Sequence, residues 1–203
     1  MEDKLDMKEV IENSLESSIS YEKYRELVSH LLKEHKSTGP NQSEALYNYS
    51  LLNDRRMKRL DKTSKLREDT IEFVKSIEKS QTWLVLTEGW CGDAAQNLPV
   101  LSKMADESEK VDLKLVLRDD NLELMDEFLT NGGRSIPKLI ALDKDKNVLF
   151  TWGPRPSLAT KMIADYKEEN GVVDAKVKED LQRWYNKDKG VNVQEDIIAL
   201  LSN

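Results

Sequence analysis

One residue of the chain carries a thiol, Cys91, and its neighbours Trp90, Gly92, Asp93 and Ala94 set what that thiol can do. The segment follows an apolar run, Trp83 to Thr87, and precedes Ala94, Leu98, Leu101 and Ala105 at helical spacing, so Cys91 falls between a strand end and a helix start. Free backbone N–H groups and the positive end of the helix dipole meet there, and they lower a cysteine pKa from about 8.5 toward neutrality. Asp93 works against this, because a carboxylate repels a nearby thiolate, and partial activation at most is expected. A single cysteine can form neither an intramolecular disulfide nor a Cys-rich zinc site. Taken alone, such a residue is more commonly inert core.

The other chemistry-bearing residues form weaker patterns. Neither His30 nor His35 has the cysteines or carboxylates at a spacing that would favour a metal site, so none is expected. Asp119, Asp120 and Glu123 sit at a strand-to-helix junction, where acids cap a helix start better than they make a paired-carboxylate site. Gly132 and Gly133 lack the lysine that a phosphate loop needs. The 31 Lys and Arg against 38 Asp and Glu give a net charge of −7, the wrong sign for a dedicated nucleic-acid binder. No apolar run approaches the roughly 20 residues of a bilayer span, and the first residues lack the layout of a signal peptide, so a cytoplasmic protein without a membrane role is expected.

The elements that must position Cys91 follow from periodicity. From Ser20, Tyr24, Leu27, Val28, Leu31 and Leu32 form an amphipathic stripe that ends at Gly39 and Pro40, and a second helix runs from about Ser43 to Leu60. A basic stretch from Arg55 to Arg67 reads as a solvated face or as a patch for an acidic partner. A third helix spans Glu68 to Lys79. Val111, Leu113, Leu115 and Leu117 alternate as a strand, and Leu122, Met125, Phe128 and Leu129 line a helix stopped by Gly132 and Gly133. Lys138 to Leu142 and Val148 to Trp152 then flank a polar turn as an antiparallel hairpin. A helix from Pro156 buries Leu158, Met162 and Tyr166, and two tail helices present Val177, Leu181, Trp184 and Tyr185, then Ile197 to Leu201. The expected organisation is a helical extension over 1–67, an α/β domain over 68–170 and C-terminal helices over 171–203 packed on it.

From Thr70 to Asn170 the sequence resembles the thioredoxin superfamily. Trp90, Cys91 and Gly92 look like the start of its active-site motif, Pro99 like its active-site-helix proline, and Ile136 with Pro137 like its cis-proline pair. The resemblance implies a thioredoxin-like fold, a central mixed β-sheet flanked by helices, here with helical extensions at both ends. It also implies that the backbone at Ile136 pairs with an extended peptide beside Trp90, so Cys91 is the expected catalytic residue and Trp90, Gly92, Asp93, Ala94, Ile136 and Pro137 the expected substrate-binding residues. The departures are Ala94 in place of the resolving cysteine, Asp93 in place of the motif's proline, and Val85 where the family has a buried acid. Two-thiol exchange is thereby lost, and a mixed disulfide at Cys91 would persist until an external thiol released it.

Two functions fit. In the first, Cys91 joins thiol-disulfide exchange or redox sensing with a peptide or protein thiol or disulfide, or with a low-molecular-weight thiol, and is restored by an external thiol. In the second, the fold is a non-catalytic binding module for a peptide or protein partner. A monothiol glutaredoxin-like role is a weaker third. No cofactor is expected, and the first reading places the thiol exposed at the mouth of the βα junction, facing a proline-bordered cleft.

Overall fold

The computed structural model of the chain describes residues 6–202. Three helices come first, α1 (Met7–Glu16), α2 (Tyr21–Lys33) and α3 (Glu44–Thr63), followed by α4 (Glu68–Lys75). Ser20 and Ser43 start α2 and α3 by accepting hydrogen bonds from the backbone N–H groups of Lys23 and Leu46. The α/β part runs β1 (Gln81–Thr87), α5 (Gly92–Asp106), β2 (Val111–Leu117), a short 3₁₀ turn over Arg118–Asp120, α6 (Leu122–Glu127), β3 (Lys138–Leu142), β4 (Val148–Trp152) and α7 (Ser157–Asn170). The chain closes with α8 (Ala175–Asp188) and α9 (Val191–Leu201).

The sheet order is β2-β1-β3-β4, with β1 and β2 parallel and the β1–β3 and β3–β4 pairs antiparallel. β1 and β3 are central, and both are covered on their two faces: Trp83, Leu84, Val85 and Leu86 are buried without alternation, as are Leu139 to Leu142. One continuous core joins them to Val10, Ile11, Tyr24, Val28 and Met57 from the first three helices and to Val193 and Ile197 from α9. This is a mixed sheet flanked by helices, with further helices at both ends.

Several details differ from the sequence reading. Helix α1 has only Val10, Ile11 and Leu15 to face the core, too short a stripe to stand out. Leu122 and Leu129 are exposed, because α6 is only six residues long and buries Leu124 and Met125 instead. On α7 only Ala159 is fully buried; Leu158 is exposed, and the Tyr166 hydroxyl donates to Asp174 at the surface. Trp184 is partly buried against a small separate cluster of Ala159, Leu181 and Tyr185. No helix of the described residues is long and apolar enough to cross a membrane.

Candidate functional site

After β1 ends at Thr87, Glu88, Gly89 and Trp90 lead to Cys91, which is the N-cap of α5. The loop is held from the side of the N-terminal helices. Asn53 Nδ2 of α3 donates to the Gly89 carbonyl at 3.0 Å, and the Gly89 N–H donates to Thr38 Oγ1 at 2.8 Å. The Thr38 hydroxyl in turn donates to Glu88, whose other oxygen accepts the Asp119 N–H at 2.9 Å. Glu88 is fully buried, and that burial raises its carboxyl above the ordinary range. A buried acid is thus present beside the loop, at Glu88, while Val85 lies in the core.

The thiol itself corrects the expectation of an exposed, partly activated sulfur. Cys91 is 8% exposed; its Sγ–H donates to the Ile136 carbonyl at 3.2 Å, and its Sγ accepts from the Ala94 N–H at 3.4 Å. Burial, and after it the Asp93 carboxylate, push the thiol up from 9.0 to about 12 against the pull of the Ala94 and Asp93 N–H groups and of Arg155. Magnitudes explain the outcome. A charge at a helix start gains about 0.3–1 kcal/mol, less than one pH unit at about 1.4 kcal/mol each, whereas burial moves a group by several. Cys91 is a protonated thiol at neutral pH.

Asp93 and Ala94, expected on the binding surface, face inward. Ala94 is fully buried. Asp93 Oδ2 lies 2.8 Å from Arg155 Nε, and the Tyr185 hydroxyl of α8 donates to Oδ1 at 2.9 Å while accepting from Asn97 at 3.2 Å. Burial raises the Asp93 carboxyl and Arg155 opposes it. Gly92 is half-buried, and a Cβ built on it would meet Arg56, Asn53 and Gln182 at 3.5–4.0 Å. Trp90 is half-buried, with the Arg118 guanidinium 4.8 Å above its ring. Arg118 also donates to Asp119 and to the Arg134 carbonyl, so it spans from the Trp90 ledge to the loop that leads into Ile136. The acids at 119, 120 and 123 do not cap α6 through their side chains: its N-cap is Asn121, without a side-chain cap bond, and Asp119 is engaged with Arg118.

Ile136 is buried, and the Ile136–Pro137 and Gly153–Pro154 peptides are cis. The loop from Trp152 to Pro156 runs against them. Gly153 has φ +114°, and a Cβ there would lie 2.1 Å from the Pro137 carbonyl oxygen, so only glycine fits. The structure therefore brings Cys91, Trp90, Gly92, Ile136 and Pro137 together, with Arg118 and Arg155 on either side. A surface recess lies elsewhere, lined by Tyr21, Arg25, Asp61, Pro99, Lys103 and Asp106. Among the described residues no group of three or more His, Cys, Asp or Glu is placed to hold a metal. Sequence reasoning missed Arg118, Glu88 and the contact of Tyr185 with Asp93. Only Glu88 gave a signal, a charged residue directly after an apolar strand.

A family model described as Thioredoxin matches residues 39–167. The chain belongs to the thioredoxin superfamily. The match begins before α3, so in this thioredoxin-superfamily chain the helix that carries Asn53 and Arg56 lies within the matched region. Among solved structures, a protein of unknown function from Pseudomonas aeruginosa is similar at 16% identity and a TM-score of 0.59, over 91% of this chain and 98% of that one. An HIV epitope-scaffold is similar at 16% identity and a TM-score of 0.57, with the same coverage. Both likenesses are of fold alone. No curated protein matches the sequence.

Proposed function

We propose that the chain acts as a thioredoxin-fold binding module for a peptide or protein partner, with Cys91 as a resting thiol and not a turnover nucleophile. The observation that carries this reading is the Cys91 Sγ–H donated to the Ile136 carbonyl inside a site that raises the thiol to about 12. A nucleophile must be a thiolate, and this thiol is neither ionised nor free. Ala94 at the resolving position removes the intramolecular route out of a mixed disulfide. Trp90 and the loop from Gly153 to Arg155 remain half-exposed as a surface on which an extended segment can lie.

The alternative, exchange through one thiol, draws support from the Ala94 N–H already directed at the sulfur. In that chemistry the Cys91 thiolate attacks a partner disulfide, one partner sulfur leaves as a thiolate, and an external low-molecular-weight thiol later takes the partner sulfur and frees Cys91. A partner would first have to draw the sulfur away from Ile136. Affinity capture with wild type and Cys91→Ser separates the two. Equal recovery of partners, with no adduct that reductant dissolves, is the expected result. Partners lost on the substitution, together with faster insulin reduction by wild type than by the dithiothreitol background, would overturn the binding reading.

A further inference from the structure

The helix that supports the Cys91 loop also turns a largely exposed face to solvent, bordered by α8. Along α3 the buried side is Ser50, Asn53, Asp54, Met57 and Leu60. Flanking that side, Tyr49, Leu52, the half-buried Arg56 and Arg59 fall at i, i+3, i+7 and i+10, within one arc of the helix, with Arg55 beside them. Tyr49 is 59% and Leu52 44% exposed, and Arg55 and Arg59 are exposed. The stripe is apolar at its N-terminal half and cationic at its C-terminal half.

The cations lack ion-pair partners at contact distance among the described residues. Lys58, on another side of the same helix, is ion-paired to Asp54 at 2.7 Å, but among the described residues none of Arg55, Arg56 and Arg59 forms an ion pair with a carboxylate. Arg56 donates to the Asn53 amide oxygen at 3.0 Å and Arg59 to the Asn186 amide oxygen at 2.9 Å, both neutral acceptors. Burial and the repulsion of Arg59 lower the Arg56 guanidinium, and the Asp93 carboxylate opposes this only in part. The chain as a whole carries −7, so this concentration of unpaired arginines is local.

We propose that this face of α3 is a docking surface for an acidic peptide segment that carries an apolar side chain. It is a second surface, and it stands whether or not the groove at Trp90 and Ile136 holds a partner. Charge complementarity sets the acidic part: carboxylates of the segment meet Arg55, Arg56 and Arg59, and the apolar side chain covers Leu52 and Tyr49. The helix fixes the spacing. From Leu52 to Arg59 the rise is about 10 Å at roughly 1.5 Å per residue, which an extended segment spans in about three residues. The segment therefore has carboxylates about three positions from its apolar anchor. A nucleic acid fits less well, since a repeating phosphate backbone needs cations along its whole track, and half of this track is Tyr49 and Leu52. Arg56 lies against Gly92, so a docked segment ends next to the Cys91 loop.

The test is fluorescence anisotropy with the full chain and three fluorescein-labelled probes: the peptide Ser-Leu-Phe-Ser-Glu-Asp-Glu-Ser, the same peptide with Gln and Asn for the acids, and a short oligo-dT. The expected result is saturable binding of the acidic peptide, about tenfold tighter than that of its neutral counterpart and weakened between about 50 and about 200 mM NaCl. Arg55→Glu with Arg59→Glu should cost about tenfold, and Leu52→Ser should weaken both peptides by a similar factor. The control pair Lys144→Glu with Lys167→Glu makes the same change in net charge at exposed positions away from α3 and should leave binding unchanged. Circular dichroism of each variant confirms folding before it is titrated. The proposal is overturned if the acidic peptide does not bind, if the neutral peptide binds equally, if the control pair costs as much as the α3 pair, or if oligo-dT binds tighter than the peptide.

Discussion

Replacing Arg155 by methionine keeps most of the side-chain stem and removes one charge beside the Cys91 loop. Asp93 is largely buried; its carboxylate has Arg155 at 2.8 Å and the Tyr185 hydroxyl at 2.9 Å. Breaking a fully buried ion pair costs about 3–5 kcal/mol. Here the Arg155 side chain is 32% exposed and the tyrosine bond remains, so about 2 kcal/mol is expected near neutral pH. The pH dependence has a definite sign. Burial already raises the folded carboxyl above 3.8, and losing Arg155, which lowers it, raises it further. Below the folded values of both proteins Asp93 is protonated and the arginine contributes nothing to it, so the penalty shrinks toward acid pH and grows as pH rises. Urea unfolding followed by tryptophan fluorescence, at acid and at neutral pH, measures it. In an Asp93→Asn background the same replacement should cost under about 0.5 kcal/mol. An equal penalty in both backgrounds, or one that grows toward acid pH, refutes the reasoning.

Further expectations concern the frame of the site. Gly153→Ala places a Cβ 2.1 Å from the Pro137 carbonyl oxygen at a φ of +114°, and should destabilise by about 3 kcal/mol or more, read as a lower urea midpoint. Glu88→Gln keeps partners for Thr38 and the Asp119 N–H but removes the proton. Because burial raises the folded Glu88 carboxyl, wild type loses stability as pH rises from 4.5 through the folded value, and the variant should show a flatter slope in that window. Glu88→Ala, which leaves the Asp119 N–H unpaired, should cost about 1–3 kcal/mol more than Glu88→Gln in the same assay.

How much of this was legible in the sequence depends on distance along the chain. The apolar run at Trp83 to Leu86 and the hairpin around Asp143 to Asn147 are local patterns, and both strands of the hairpin have the residues expected of them. The serine caps at Ser20 and Ser43 are equally local. The position of Cys91 as an N-cap was readable for the same reason. Its chemistry was not, because burial is a tertiary property: the sulfur is covered by a loop 45 residues away that supplies the Ile136 carbonyl. The partner of Asp93 at Tyr185 lies 92 residues off, in a tail helix whose spacing announces only an apolar stripe. On α7, helical spacing alone placed Leu158 and Tyr166 inside, but the helix packs through Ala159 on a small cluster and leaves both at its margins.

The reactivity of Cys91 tests the central claim most directly. In the folded protein its rate of alkylation by iodoacetamide, followed by mass spectrometry from pH 6 to pH 10, should be about a thousandfold below that of a free thiol of pKa 9.0 at neutral pH. It should still be rising at the top of that range, as a thiol held at about 12 requires. A rate equal to or above that of the free thiol, with a plateau near neutral pH, would show an ionised sulfur open to solvent and contradict the account.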